Sequence, residues 1–114
     1  SGMGRYFTRQ DIERRSPIQI SDMFTAMAGV SVYQVGAFGH RVVMGGGVHG
    51  NCVPTFYVDG VRLAMASDGD IDSLLPAYEV AGIEVYRNDL EAPAEYRGSS
   101  GCGSIVIWTT GAMP

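Results

Sequence analysis

Apolar positions near the start of the chain recur at helical spacing, between residues that begin and end helices. Thr8 is placed to act as the N-cap of a first helix, with Asp11 in the reciprocal capping position. Phe7 before the cap can pack against Ile12 as a hydrophobic staple. The Ser16-Pro17 pair then ends the helix, because the residue before a proline is disfavoured in helical conformation. This pattern predicts a short capped helix that buries Ile12.

A second helix is predicted to begin at Ser21. Gly29 supplies its C-terminal stop, since glycine adopts the left-handed conformation that ends many helices. The apolar residues of this segment fall at helical spacing and are expected to face the core: they are Ile20, Met23, Phe24, Met27 and Val30.

The pattern then changes to the alternating or continuous apolar runs that are typical of strands. Val30–Val35 and Arg41–Met44 are each bounded by glycine. Thr55–Val58 and Val61–Leu63 flank Asp59-Gly60, a dipeptide that suits a two-residue hairpin turn because both central positions need positive φ. The sequence therefore predicts a hairpin in which Asp59 and Gly60 have a structural role.

The second half of the chain combines helical and strand patterns. Asp68–Pro76 is predicted as a short capped helix with Ile71 facing inward. Ile83–Arg87 is predicted as a strand and Ala92–Arg97 as a helical turn. Ile105–Thr110 is a nearly continuous apolar run, which suits a strand in the middle of a sheet. The predicted fold class is α+β, a small mixed sheet of about four to five strands with about three short helices.

Composition limits the function. The chain has 114 residues with 46% hydrophobic and 18% charged, which fits one folded domain. Residues 1–4 are interpreted as a tag remnant and residues 5–114 as the domain. The net charge is −4 and every cation is arginine, so nucleic acid is not expected as a partner. No segment is long and apolar enough to cross a bilayer as a helix.

The sequence carries no recognisable catalytic signature or cofactor site. Gly45-Gly46-Gly47 is predicted as a flexible turn, because no lysine follows it at phosphate-loop spacing. Gly98–Gly101 lacks the serine-centred spacing of a hydrolase elbow. Glu91 and Glu95 are expected to solvate a turn. We therefore predict no enzyme and no cofactor.

An acidic segment raises the alternative of a calcium loop. Asp68, Asp70 and Asp72 alternate as ligands do in an EF-hand. Gly69 stands at the second position of this loop, where the EF-hand has its glycine at the sixth, and the twelfth position is Glu79, beyond an apolar stretch. A capped helix is therefore favoured over a calcium site.

Several motifs occur together in one order along the chain. They are Ala28-Gly29-Val30, Phe56–Val61 around Val-Asp-Gly, Val80–Arg87 around Ile-Glu-Val, Glu95–Gly98 and Gly103–Thr110 with alternating isoleucines. In this order the chain resembles the plug domain of TonB-dependent outer-membrane receptors. It differs at Arg87-Asn88-Asp89, where the family commonly has Arg-Gly-Pro, and at Arg97, which separates Tyr96 from Gly98.

The resemblance implies a non-catalytic domain on the periplasmic side of the outer membrane, from which a signal peptide has been removed. Its implied partners are a transmembrane β-barrel, in the same chain or separate, a small-molecule or siderophore-like ligand, and the TonB system. Loops at Phe38–Asn51 and Ala64–Gly69 are expected to face the ligand. Because the sequence ends where the barrel would begin, the alternative is a stand-alone periplasmic binding or adaptor module with the same fold.

Two cysteines in an exported domain predict one disulfide, between Cys52 and Cys102. Closing the loop of about 50 residues between the two cysteines contributes roughly 4 kcal/mol to stability in the chain-entropy model. Zinc is the alternative, because His49 and Cys52 have ligand-like spacing and His40 with Cys102 would complete four ligands. Metal sites usually supply their ligands as two close pairs, and Cys102 has no near partner in sequence, which favours the disulfide.

Overall fold

The computed structural model describes residues 4–44, 52–65, 68–98 and 101–111, and it has one mixed sheet, one separate hairpin and one α-helix. The helix α1 spans Arg9–Arg15, and short 3-10 turns occur at Ile20–Met23, Ala77–Glu79 and Ala94–Tyr96. The strands are β1 (Arg5–Phe7), β2 (Val30–Val35), β3 (Gly39–Met44), β4 (Thr55–Val58), β5 (Val61–Leu63), β6 (Val80–Tyr86) and β7 (Ser104–Thr109). This arrangement confirms the predicted α+β class.

The five-stranded sheet has the order β1-β6-β7-β4-β5. The central strand β7 runs antiparallel to β6 and parallel to β4. Ile105, Val106 and Ile107 are fully buried, so the prediction that this run lies in the middle of a sheet is confirmed. The edge strand β1 pairs with β6. It was not predicted, because only three residues are involved and two of them are exposed.

The two faces of this sheet carry separate apolar clusters. The larger cluster includes Ile12 of α1 together with Ile83 and Val85 of β6. The smaller cluster lies on the other face, around Tyr86 and Val106. Successive residues of a strand point to opposite faces, so Val85 and Tyr86 reach different clusters.

The first helix forms as predicted. The Thr8 hydroxyl accepts a hydrogen bond from the Asp11 N–H at 3.2 Å, and the Asp11 carboxylate accepts one from the Thr8 N–H at 2.8 Å. These bonds, first from the Thr8 backbone and then from its hydroxyl, hold the pKa of Asp11 below its usual value. Ile12 is buried, and Phe7 packs at the edge of the same cluster.

The second predicted helix is reduced to the single turn Ile20–Met23. The Met23 carbonyl, which would accept the next helical bond, accepts from the Arg15 guanidinium at 3.2 Å. The Met27 N–H bonds instead to the Phe24 carbonyl. The burial predicted for Ile20, Met23, Phe24 and Met27 is nevertheless found, because the turns that follow keep the same side chains inward.

The helix predicted over Asp68–Pro76 is wrong in the part that the structure describes, where residues 68–76 form turns. The Ile71 N–H donates to the His40 carbonyl at 2.8 Å, so the backbone of this segment is used for a tertiary contact. Ile71 is fully buried, as predicted. The predicted turn at Gly45–Gly47 lies outside the described residues. Among the residues described, no helix is long and apolar enough to cross a membrane.

Candidate functional site

The first loop predicted to face a ligand contains β3 itself, and the residues that directly follow the second loop lie against this strand. The His40 N–H donates to the Asp70 carboxylate at 3.0 Å, and the His40 carbonyl accepts from Ile71. Gly39 allows this approach, because a side chain at this position would collide with the Asp70 carboxylate. Residues 45–51 and 66–67 of the two loops lie outside the described ranges. Asp70 and Ile71, which directly follow the second loop, are therefore held against the backbone of β3.

The β2–β3 hairpin presents aromatic and cationic groups at its exposed end. Phe38 at the turn is 87% exposed, and Tyr33 is 47% exposed. Arg41 lies directly opposite Tyr33 across the strands, with its guanidinium carbon 5.8 Å from the ring centroid. Arg41 Nε is buried and has no hydrogen-bond acceptor within the described part of the chain. We call Tyr33, Phe38 and Arg41 the hairpin surface.

Asp72 fixes the hairpin to the rest of the domain. Its side chain is 8% exposed and lies 2.8 Å from His40 Nδ1. It also accepts hydrogen bonds from the Ser21 N–H at 2.9 Å and the Ser21 hydroxyl at 2.8 Å. One carboxylate thus joins the 68–76 segment, β3 and the Ile20–Met23 turn. We call Asp72, Ser21 and His40 the Asp72 cluster.

The acidic segment does not have the arrangement of a calcium loop in the described structure. Asp68 accepts from the Asp70 N–H at 3.0 Å, and Asp70 accepts from the Asp72 N–H at 2.9 Å. These carboxylates therefore satisfy backbone donors of their own turn. The described ranges contain no group of three or more acidic, histidine or cysteine side chains placed to hold a metal ion.

Asp59 and Gly60 occupy the turn between β4 and β5, with φ of +52° and +84°. The Asp59 carboxylate reaches the central strand, where it accepts hydrogen bonds from the Thr109 N–H at 2.8 Å and the Thr109 hydroxyl at 2.7 Å. The Asp59 side chain therefore ties the β4–β5 hairpin to the end of β7. The sequence pattern predicts the turn at Asp59 but not this contact with Thr109.

Cys52 and Cys102 are joined by a disulfide in this structure, with their Cα atoms 5.2 Å apart. Because both sulfur atoms are bonded to each other, neither is a thiolate ligand, and the alternative four-ligand zinc site is not formed. Its fourth candidate ligand, His49, lies outside the described residues. His40 is instead paired with Asp72. Both cysteines line a cavity of about 380 Å³.

The turn after β6, where the sequence departs from the family pattern, has its own internal contacts. Glu91 is 7% exposed and accepts a hydrogen bond from the Arg87 N–H at 2.9 Å, and its carboxylate lies 3.3 Å from the Arg87 guanidinium. Asn88 caps the turn by accepting from the Glu91 N–H. The expectation that Glu91 solvates a turn is therefore wrong, whereas Glu95 is exposed.

A polar network on the second face of the sheet was not predicted. Glu84 accepts hydrogen bonds from the Tyr86 hydroxyl and from Trp108 Nε1, and the Tyr6 ring packs edge-on against Tyr86. Burial, followed by the hydrogen bond to Glu84, raises the pKa of Tyr86 well above its usual value. The alternation in β6 could have shown that Glu84 and Tyr86 share a face, but not that Trp108 joins them.

Known proteins share this fold. The model of the TonB-dependent receptor plug domain matches residues 5–103. Solved structures with the same fold include the ferric enterobactin receptor PfeA of Pseudomonas aeruginosa, in a mutant form (TM-score 0.70, 22% identity, 96% of this chain and 17% of that chain covered). They also include the siderophore receptor PirA of the same organism (TM-score 0.65, 23% identity, 96% and 19% covered).

A third similar structure is the ferric-catecholate import receptor Fiu of E. coli K12 (TM-score 0.62, 19% identity, 94% of this chain and 14% of that chain covered). This chain thus spans less than one fifth of these receptors. No curated protein sequence matches it. Because the family model covers most of the chain, the protein belongs to the TonB-dependent receptor plug domain family.

Proposed function

We propose that this chain is the plug of a TonB-dependent receptor in the outer membrane. It occludes the lumen of a transmembrane β-barrel from the periplasmic side and takes part in gated uptake of an iron–siderophore-like ligand, coupled to a TonB system. It performs no covalent chemistry and needs no cofactor.

The family match over residues 5–103 is the observation that carries this proposal. The similar structures named above are siderophore and iron-chelate receptors, and the fold covers 94–96% of this chain in them. A buried central strand and a disulfide suit a body that must remain folded while ligands arrive. We therefore assign occlusion to the five-stranded sheet and recognition to the exposed β2–β3 hairpin.

The hairpin surface supports a particular class of ligand. Phe38 and Tyr33 offer exposed aromatic faces, and Arg41 places a cation against the Tyr33 ring. Aromatic rings beside a guanidinium favour planar, electron-rich anions, through stacking together with charge attraction. Iron chelates built from catecholate groups have this chemistry. We propose such a chelate as the ligand class.

The test is ion conductance through the full-length receptor in a planar lipid bilayer. Deletion of residues 5–111 should convert a closed protein into an open pore with a large, steady conductance. The undeleted receptor should remain closed at the same voltage. A matched control, the Asp68→Ala variant of a single exposed carboxylate, should also remain closed.

Two results would contradict the proposal. One is a full-length gene that encodes no barrel strands after this domain, which would favour the stand-alone periplasmic module. The other is a receptor that conducts equally with and without residues 5–111, although the barrel itself is folded. Ligand binding is measured separately on the 114-residue chain, so that a wrong ligand class does not count against occlusion.

A further inference from the structure

The second face of the five-stranded sheet is covered unevenly in the described structure. Near its middle, Ala92 of the turn after β6 packs into the buried cluster around Tyr86. Towards the edge strand β1 the face is more open: Tyr6 is 50% exposed, and Glu84 and Trp108 are only partly buried. An aromatic and acidic surface therefore remains open to a partner at this side of the sheet.

Strand pairing brings the members of this surface together. Tyr6 of β1 lies directly opposite Glu84 of β6. Trp108 of β7 lies opposite Gly82, where a side-chain carbon would stand 3.8 Å from the Trp108 Cβ and Cδ1 atoms. Because glycine has no side chain, the indole can lie against β6, and its Nε1 donates to the Glu84 carboxylate. We call Glu84, Tyr6 and Trp108 the Glu84 surface.

The charge of Glu84 is not neutralised within the described residues. Its two oxygens accept hydrogen bonds from the Tyr86 hydroxyl and Trp108 Nε1, which are uncharged donors, and the described ion pairs do not include it. In the same row of the sheet, Arg62 stands three strand spacings away, about 14 Å. Arg97 donates to a backbone carbonyl of its own segment. A carboxylate has about four acceptor positions, so Glu84 can accept further bonds.

A second carboxylate adds to the negative charge of this face. Burial raises the pKa of Tyr96, and the charges of Glu95 and then Glu84 raise it further. Both carboxylates therefore act on the same side of the sheet. Glu95 is exposed, so its charge extends into the solvent beside the face. The open end of the sheet is thus suited to a cationic partner group.

We propose that the Glu84 surface binds an arginine side chain of a protein partner, with the guanidinium bonded to the Glu84 carboxylate and lying against the rings of Tyr6 and Trp108. A guanidinium is planar and weakly hydrated, so it pairs with a carboxylate and stacks on aromatic rings at the same time. Tyrosine, tryptophan and arginine are also the residues enriched in protein interfaces. This inference rests on the proposed function, under which the partner is the inner wall of the β-barrel.

The first test is titration of the 114-residue chain with N-acetylarginine methylamide. Trp108 is the only tryptophan of the chain, so its fluorescence reports on the surface directly. A saturable change is expected, with a dissociation constant on the order of 10 mM. N-acetylcitrulline methylamide, which has nearly the same shape without the charge, should bind at least about tenfold more weakly. The corresponding lysine derivative should bind about threefold more weakly than the arginine derivative.

Variants identify the groups that bind the probe. Glu84→Gln keeps an acceptor oxygen but removes the charge, and should weaken binding at least about tenfold. Glu95→Gln, the matched loss of a nearby exposed charge, should weaken it less than about twofold. Tyr6→Leu, at the exposed edge of the sheet, should weaken it about threefold, and it tests the surface even where Glu84→Gln does not fold. Equal binding of the arginine and citrulline derivatives, tighter binding of lysine, or unchanged binding by Glu84→Gln would overturn the proposal.

The second test uses the pore formed by a receptor that lacks residues 5–111, with the 114-residue chain added from the periplasmic side. Half-closure of the pore should need at least about tenfold more of the Glu84→Gln chain than of the wild-type chain, and less than about twofold more of Glu95→Gln. Equal closure by wild type and Glu84→Gln would overturn this inference and leave occlusion intact. Failure of the wild-type chain to close the pore would count against the proposed function, and the titration then decides whether the Glu84 surface binds arginine.

Discussion

Replacing Asp72 by alanine should destabilise the whole domain, because one carboxylate satisfies donors from separate segments. Ser21 is 1% exposed, and both its N–H and its hydroxyl donate to Asp72. His40 Nδ1 lies 2.8 Å from the same carboxylate. Asp72→Ala leaves these groups without their acceptor, and each unsatisfied buried group costs about 1–3 kcal/mol. Water can reach part of the cavity left by the substitution, so we expect a total loss of about 3 kcal/mol.

The assay is urea unfolding of the disulfide-bonded chain, monitored by tryptophan fluorescence. With an m-value of about 1.5 kcal/mol/M for a domain of this size, the midpoint should fall by about 2 M. Asp72→Asn, which keeps the shape and one acceptor oxygen, should lose about 1 kcal/mol.

Asp68→Ala is the matched control in the same segment. Asp68 is exposed and, within the described part of the chain, accepts one local bond, from the Asp70 N–H. The loss on its replacement should therefore remain below about 0.5 kcal/mol. If Asp72→Ala and Asp68→Ala shift the midpoint equally, the Asp72 cluster does not hold the segments together and the reasoning is refuted.

Three further results are expected. In urea unfolding, Gly103→Ala should lower the free energy of unfolding by at least about 3 kcal/mol, and Gly60→Ala by about 1 kcal/mol. Both glycines have positive φ, but only at Gly103 would the added methyl group collide with the Tyr86 carbonyl. Equal losses of stability in the two variants would contradict this explanation. Burial raises the pKa of Tyr86, so its contribution to stability is present below the usual tyrosine pKa and is lost as the pH rises above it. The pKa of Tyr96 is also raised by burial, so absorbance at 295 nm should show tyrosine ionisation that occurs only with unfolding, and Tyr86→Phe should reduce its amplitude without removing it. Phe38→Ala should weaken catecholate–iron binding about tenfold by fluorescence titration, whereas Tyr78→Ala, also highly exposed, should not change it.

Local chemistry explains most of what could be predicted. The Thr8–Asp11 capping pair, the Asp59-Gly60 turn and the apolar run of β7 each specify their structure through neighbouring residues. Such features depend on a few adjacent side chains, so a single sequence is sufficient to find them.

The wrong or missing predictions depend on partners far away in the sequence. Asp68–Pro76 has helix-capping residues, but its Ile71 N–H is taken by His40, about 30 positions earlier. Glu91 was predicted to be solvated, but its carboxylate accepts a hydrogen bond from the Arg87 N–H in the turn after β6. Glu84 meets Trp108 only because β6 and β7 pair in a given register. Strand register and tertiary hydrogen bonds cannot be derived from local pattern.

The position of β7 also has a consequence for biogenesis. Among the described strands, β7 comes last in chain order and lies between β6 and β4, so it must be available before the others can join into one sheet. Until Thr109 has emerged from a ribosome or a translocation pore, β1 with β6 and β4 with β5 are two fragments, each with an unpaired edge. Unpaired edges invite association with other chains. Assembly of this domain is therefore expected to be late and all-or-none, and the unfinished chain should depend on a chaperone that shields its edges.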